Sequence, residues 1–295
     1  MHKEIIGYLK IIFYLKQHKN DFDLVHDNSL YFLPLILGNE LIPLPLIATL
    51  HVPITNFSLP DILKDLNISN DNNYYIAISD SQKQMIKNLK IFDVNYNGID
   101  EKRFIFNDKS DNYLLWVGRI VPEKGLEKAI EVAIKTNMEL KIAGSIADRG
   151  LFEKQIKPII SRQKNIIYLG EKLGQNLVKL YQKAKILLFP IDWEEPFGLV
   201  MVEAMACGTP VIAFRRGSVS EVIKDGEAGF ICPPGDLDCM VKTVKGIYEV
   251  PEEKYRAMRH ACRKHVEENF TVEKMVDGYE KVYQQVIADW KQKNG

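Results

Sequence analysis

Little in this chain ties it to nucleic acid, to a metal or to the interior of a bilayer. Its 295 residues carry 39 basic and 39 acidic side chains, for a formal net charge of zero. That balance gives no bulk cationic surface for nucleic acid. The four cysteines, Cys207, Cys232, Cys239 and Cys262, include no C-x-x-C pair. The usual zinc and redox frameworks are therefore missing, and reduced thiols of a cytosolic protein are the plain reading. No segment has the pattern of a signal peptide. The apolar stretch EIIGYLKIIFYLKQH (4–18) is broken by Glu4, Lys10 and Lys16 and is too short to span a bilayer. Its periodicity suits a helix packed on a sheet, with a membrane-surface helix as the alternative. There is no internal repeat and no low-complexity tract.

What is present is ordinary in bulk, with 46% hydrophobic and 26% charged residues, the composition of a globular protein long enough for two domains. Strand and helix signals alternate throughout. Strands are predicted near 23–28, 45–51, 74–79 and 93–98, with a helix at SQKQMIKNL (81–89) that Ser79 or Ser81 could cap. The polar run EKRFIFNDKSDN (101–112) reads as a linker. A second series follows at 113–118, 138–144, 165–170, 186–190, 210–214 and 229–232, and two helices, 251–270 and 271–290, close the chain. Near-continuous apolar strands separated by helices predict parallel sheets covered on both faces.

The most informative word is EPFGLVMVE, Glu195 to Glu203. Its two carboxylates bracket a Phe-Gly. Glu195 falls in a loop after the apolar run ILLFP (186–190), and Glu203 lies about two turns along the following helix. A helix N-terminus offers free N–H groups to a phosphate, and acids on either side of it can accept from sugar hydroxyls. The plainer alternative is an amphipathic helix with two solvated glutamates. Upstream, WVGRIVPEKGL places Arg119 and Lys124 after a strand ending at Gly118. His51 ends the strand PLIATLH at its carboxyl edge, where α/β clefts form.

The words VGRIVPEKG (117–125), PIDWEEPFGLVMVEAMACGTPVIAF (190–214), GSVSEVIKDGEAGFIC (217–232) and YNGID (96–100), with a weaker TLHVP (49–53), resemble the retaining nucleotide-sugar glycosyltransferases of family 4. The likeness is closest to the avilamycin-type subgroup, where W-E-E-P-F-G replaces a commoner serine-containing loop, and it covers roughly residues 21 to 290. The resemblance implies an α/β GT-B fold, two doubly wound Rossmann-like domains facing a cleft. On that pattern residues 1–110 form an acceptor-side domain and 111–270 the nucleotide-sugar domain. The last helix, 271–295, returns to the first domain.

The same resemblance implies the roles. Gly118, Arg119 and Lys124 hold the diphosphate, with the cations neutralising the leaving group without a metal or other cofactor. No D-x-D word stands where the other major glycosyltransferase fold binds its metal. Glu195 accepts from sugar hydroxyls, the backbone N–H groups of Phe197, Gly198 and Leu199 face sugar and diphosphate, and Glu203 holds the ribose. His51 lies near the donor sugar. Asn97 and Gly98 form a junction turn, Trp193 stacks on the base or packs, and main chain around 169–173 selects the base. His18, His26, His260 and His265 read as ordinary.

The first domain departs from the family pattern. A doubly wound sheet needs its first strand in the middle, and the family's opening strand and glycine loop are not seen. The N-terminal domain therefore reads as incomplete, completed by a missing segment or a partner chain. The expected reaction moves a hexose from a nucleotide diphosphate sugar to a glycan or lipid-linked envelope acceptor, in the cytoplasm or at the inner face of the plasma membrane. A non-catalytic or partner-completed subunit and a GT-B-fold epimerase are the alternatives.

Overall fold

The computed structural model describes residues 2–29, 41–52, 73–87 and 89–294. Pro53 and Asn88, which belong to two of the segments read above, lie outside them. The chain divides into two compact units, Met1–Tyr96 with Met275–Gly295, and Asn97–Lys274.

The first unit opens on α1 (His2–Gln17) and carries four parallel strands, β1 (Val25–Asp27), β2 (Leu46–Leu50), β3 (Asn73–Ala77) and β4 (Ile91–Val94), in the order β1-β2-β3-β4. All five residues of β2 and of β3 are buried, as expected of strands covered on both faces. Between β3 and β4 lies α2 (Asp80–Met85). Ser79 caps it, its side chain accepting from Gln82 N at 3.0 Å, which satisfies one of the orphan donors of a helix start.

The second unit is built around a six-stranded parallel sheet. Its strands are β5 (Tyr113–Val117), β6 (Glu139–Ala143), β7 (Ile166–Tyr168), β8 (Ile186–Phe189), β9 (Val211–Phe214) and β10 (Gly229–Cys232). Their order is β10-β9-β8-β5-β6-β7. The chain starts in the middle, winds outward to β7, then crosses back beside β5 and winds outward the other way. That reversal makes the carboxyl ends of β5 and β8 a topological switch point, where α/β sheets open a crevice.

The helices of this unit follow from apolar spacing. In α3 (Leu126–Thr136), Leu126, Ala129, Ile130 and Ala133 face inward. Next comes α4, Arg149–Leu151, which runs through a π turn, Phe152–Ile156, into Lys157–Arg162. It is followed by α5 (Gly174–Lys183), α6 (Leu199–Ala206), α7 (Val219–Val222), α8 (Leu237–Glu249) and α9 (Glu252–Asn269). Apolar nearly all round, α6 has Met201, Val202, Ala204, Met205 and Ala206 buried, the pattern of a core helix.

Residues 101–112, read as a linker, are tied down within the second unit. Fully buried Arg259 on α9 donates to the carbonyls of Asn107, Gln182, Ala184 and Cys207. Arg263 donates to those of Glu101, Phe104 and Ala206. A final helix, α10 (Val272–Asn294), lies largely in the first unit, where Tyr279, Val282 and Val286 pack on Ile47, Tyr74 and Ile76.

Candidate functional site

Two loops meet at the switch point. The first follows β5 and runs from Gly118 to Gly125. Gly118 N donates to Ala143 O at 3.1 Å. Gly125 takes φ 64°, and a Cβ there would collide with the Pro190 carbonyl, so this loop nests against the one after β8 only because it turns on glycine. Two further ties hold the loops together: Asp192 N donates to Glu123 O at 2.9 Å, and Lys128 pairs with Asp192.

Into this junction come the side chains of Lys124 and Glu195. Lys124 Nζ lies 2.7 Å from Glu195 Oε2. Trp193 Nε1 donates to the same oxygen at 2.9 Å, and the Lys124 ammonium sits 4.4 Å from the centroid of the Trp193 ring. One carboxylate oxygen thus holds two donors in a setting where Glu195 is only 8% exposed. A nearly buried carboxylate needs such partners. The indole supplies one hydrogen bond and a π face for the cation.

The Glu195 loop is clamped from the strand β9 side. Glu194 accepts from Arg216 Nη1 at 2.9 Å and from Gly217 N at 2.5 Å. Ser218 donates its N–H to Glu195 O and its hydroxyl to Phe197 O, each at 2.9 Å. Gly217 passes so close that a Cβ would strike the Glu195 backbone. Phe197 is buried edge-on against Phe270, with centroids 5.7 Å apart. Gly198 then turns through φ 82° into α6, with Met201 N donating back to Gly198 O at 2.9 Å; the N–H groups that open a helix are its orphan donors. Leu199 is exposed at that end.

Glu203 sits one layer deeper, on α6. Tyr181 Oη, from α5, donates to its Oε2 at 2.8 Å. Burial raises the carboxyl's pKa above the ordinary range and the tyrosine hydrogen bond opposes the rise. Glu203 lines a cavity of about 360 Å³ together with Asp100, Arg103, Gln175 and Val178. Arg119 is exposed and makes no ion pair within the described residues.

His51 belongs to the first unit, just past β2. Its Nε2 lies 3.1 Å from Asn28 Oδ1. Burial lowers its pKa while the nearby Asp27 works the other way. His26, on β1, bridges Tyr283 Oη and Thr49 Oγ1, each at 2.8 Å, and Thr49 in turn bonds Tyr279 Oη. Burial first, and then His51, push the His26 pKa down to about 4.

Of the residues singled out from sequence, the structure brings Lys124 and Glu195 into contact, with Gly118 in the same loop as Lys124. Phe197, Gly198 and Leu199 continue the Glu195 loop into α6. Glu203 lies on that helix with its own cavity, Arg119 reaches solvent, and His51 stands in the other unit. Asn97 and Gly98, expected as a junction turn, lie instead in an irregular segment with no turn, just before the Ile99 bridge, and a Cβ on Gly98 would strike the Thr271 carbonyl. Sequence reasoning missed the Tyr181 partner of Glu203 and the Glu194–Arg216 clamp, and it left Trp193 between stacking and packing. A buried carboxylate on an apolar helix was the one signal that some partner had to exist. Among the described residues no group of three His, Cys, Asp or Glu could hold a metal ion, and no helix is long and apolar enough to cross a membrane.

Comparison with known proteins agrees with this architecture. The solved structure of a Rickettsia africae glycosyltransferase matches with a TM-score of 0.80 at 20% identity, over 96% of this chain and 81% of that one. Anabaena HepE, solved in complex with UDP, matches with a TM-score of 0.79 at 20% identity, over 94% of this chain and 82% of that one. Such neighbours are GT-B glycosyltransferases, and the parallel α/β fold described above is theirs. The N-acetyl-alpha-D-glucosaminyl L-malate synthase of Bacillus anthracis is 28% identical over 230 residues. That match takes in 72% of this chain and 58% of the relative, so the chain spans little more than half the length of that protein. The sequence model described as "Glycosyl transferases group 1" matches residues 98–265. That interval is more than half of the sequence and contains both loops of the switch point, Glu203 and its tyrosine; the chain belongs to the glycosyl transferases of group 1.

Proposed function

We propose that the chain transfers a hexose from a nucleotide diphosphate sugar to a glycan or lipid-linked envelope acceptor with retention of configuration, as the resemblance to family 4 implies. The observation that carries the proposal is the Lys124–Glu195 pair at the switch point. A cation and an acid held there by glycine-turned loops can take the two halves of such a donor. Lys124 and Arg119 neutralise the departing diphosphate, a task that needs no metal in this reading. Glu195 accepts from sugar hydroxyls. The Phe197, Gly198 and Leu199 amides face the sugar and diphosphate at the start of α6. Glu203 accepts from the ribose hydroxyls, and His51 serves the sugar from the acceptor-side domain.

The reaction that fits these groups uses no protein nucleophile. The bond from the anomeric carbon to the phosphate oxygen breaks, and the acceptor oxygen bonds that carbon on the same face. The acceptor proton passes to the leaving phosphate. The protein holds charge and geometry in place, the larger part of such catalysis.

The test is calorimetric titration with UDP, GDP and ADP, followed by NMR of the product anomer formed from the sugar of the base that binds. Failure of all three to bind, or an inverted product, overturns the proposal.

One observation favours a second reading, a subunit completed by a partner. Among the described residues β1 is the edge of its sheet, and α1 beside it exposes Ile6, Ile11, Phe13 and Tyr14. An unpaired edge next to apolar surface is a template for association. Light scattering distinguishes the two: a monodisperse monomer active in transfer excludes the second reading.

A further inference from the structure

We infer that Tyr181 is a positioning residue for the nucleotide: its hydroxyl holds one oxygen of Glu203 so that the other is presented to the cavity beside α5. This rests on the proposed role of Glu203 and extends it to a residue that does not touch the ligand. Tyr181 is fully buried, so its ring cannot swing away. Its backbone is pinned as well, with Thr209 Oγ1 donating to Tyr181 O at 2.5 Å. The phenol sits 2.8 Å from Glu203 Oε2, and the Glu203 side chain has no other hydrogen bond within the described residues. Oε1 is therefore the oxygen left for a ligand, on a side chain that lines a cavity of about 360 Å³.

The chemistry of the pair is one-directional. Burial and the neighbouring carboxylate push the Tyr181 pKa far up, so the phenol stays protonated and only donates. A carboxylate that receives a fixed donor is stabilised in its ionised form, which is the form that accepts from two ribose hydroxyls. Without that donor, burial alone acts on Glu203 and the neutral acid persists to higher pH. The other charged or titratable groups around Glu203 are Cys207 at the end of its own helix and Asp100 and Arg103 across the cavity. Arg259 and Arg263 of α9 act on Cys207.

The experiment uses the full chain. UDP and its 2′,3′-dideoxy analogue are titrated calorimetrically between pH 5 and 8 into the wild type and Tyr181→Phe. Both ligands carry the same diphosphate, so its own protonation cancels in their ratio. The variant should lose about three- to tenfold in UDP affinity and little for the dideoxy analogue. The pH below which UDP outcompetes its analogue no longer should move upward. Equal losses for both ligands with an unmoved pH profile would overturn the inference and leave Tyr181 as packing. The Glu203 carboxyl, assigned in ¹³C NMR with Glu203→Gln, gives a readout without any nucleotide, and its titration should rise in Tyr181→Phe. If Tyr181→Phe does not fold, 3-fluorotyrosine at 181 keeps the ring and strengthens the donor. It must then lower the Glu203 titration, and an unmoved titration overturns the inference. A wild type that binds no nucleoside diphosphate while this titration responds refutes the proposed function and leaves the Tyr181–Glu203 coupling standing.

Discussion

Lys124 and Glu195, 71 positions apart in the chain, meet at 2.7 Å across the junction of two loops. The pair is largely shielded, with both side chains at or below about a fifth of full exposure. Arg119, five residues before Lys124, is exposed and unpaired within the described residues. The two cations assigned to the diphosphate thus sit in different dielectric surroundings.

Replacing either Lys124 or Arg119 by Ala should weaken UDP binding by about 1.5–3 kcal/mol, the range for a hydrogen bond to a charged group, and leave uridine binding almost unchanged. Salt separates the two. The Arg119 contribution should fade between low and physiological ionic strength, because exposed charges are screened, while that of Lys124 should persist. Calorimetry with UDP and uridine at two salt concentrations checks this, and equal losses for both ligands would refute the diphosphate assignment.

Trp193→Phe keeps a ring under the Lys124 ammonium and removes the indole donor to Glu195. Glu195 is assigned to the sugar and not to the nucleotide. The variant should therefore raise KM for the sugar donor several-fold while the Kd for UDP stays within about twofold, a net hydrogen bond being worth ~0.5–1.5 kcal/mol. Parallel losses in both would show that the indole only packs.

Among the described residues Arg259 has no carboxylate partner, and it satisfies carbonyls at the ends of α5 and α6 as well as Asn107. It complements two helix C-termini at once. Arg259→Met fills much of the same volume and strands those acceptors, each costing about 1–3 kcal/mol when buried and unsatisfied. A loss of roughly 3 kcal/mol or more in urea unfolding is expected, and a loss below about 1 kcal/mol would mean that water replaces the guanidinium.

His26 is neutral in the folded protein down to about pH 4, whereas an unfolded histidine protonates near 6.5. Between those values the unfolded chain binds the extra proton, so stability falls as pH drops from about 6.5 toward 4. His26→Gln should flatten that limb of the stability profile of the first unit. Thermal midpoints measured from pH 7.5 to 4.5 test it, and an equally steep fall in the variant assigns the acid sensitivity elsewhere.

The strands β5 to β10 were legible in the sequence nearly to the residue because each is a short apolar run between turn signals. The Ser79 cap was legible for the same reason, its partner Gln82 being three residues away. In the first unit β1 is only three residues long, with no residue fully buried, and the reading 23–28 overran it on both sides.

Sequence alone settled what depends on a few neighbouring residues: the alternation of strand and helix, and the placing of Lys124 and Glu195 in loops that follow strands. Only the tertiary structure decided which side chains meet. Tyr181 reads as one more apolar position on an amphipathic helix until α5 is laid beside α6 and its hydroxyl reaches Glu203. Lys124 has no readable partner until β8 is placed against β5 and its ammonium reaches Glu195. Period and turn chemistry are local properties of the chain, whereas a hydrogen bond across 22 or 71 residues exists only once strand order brings its two ends together.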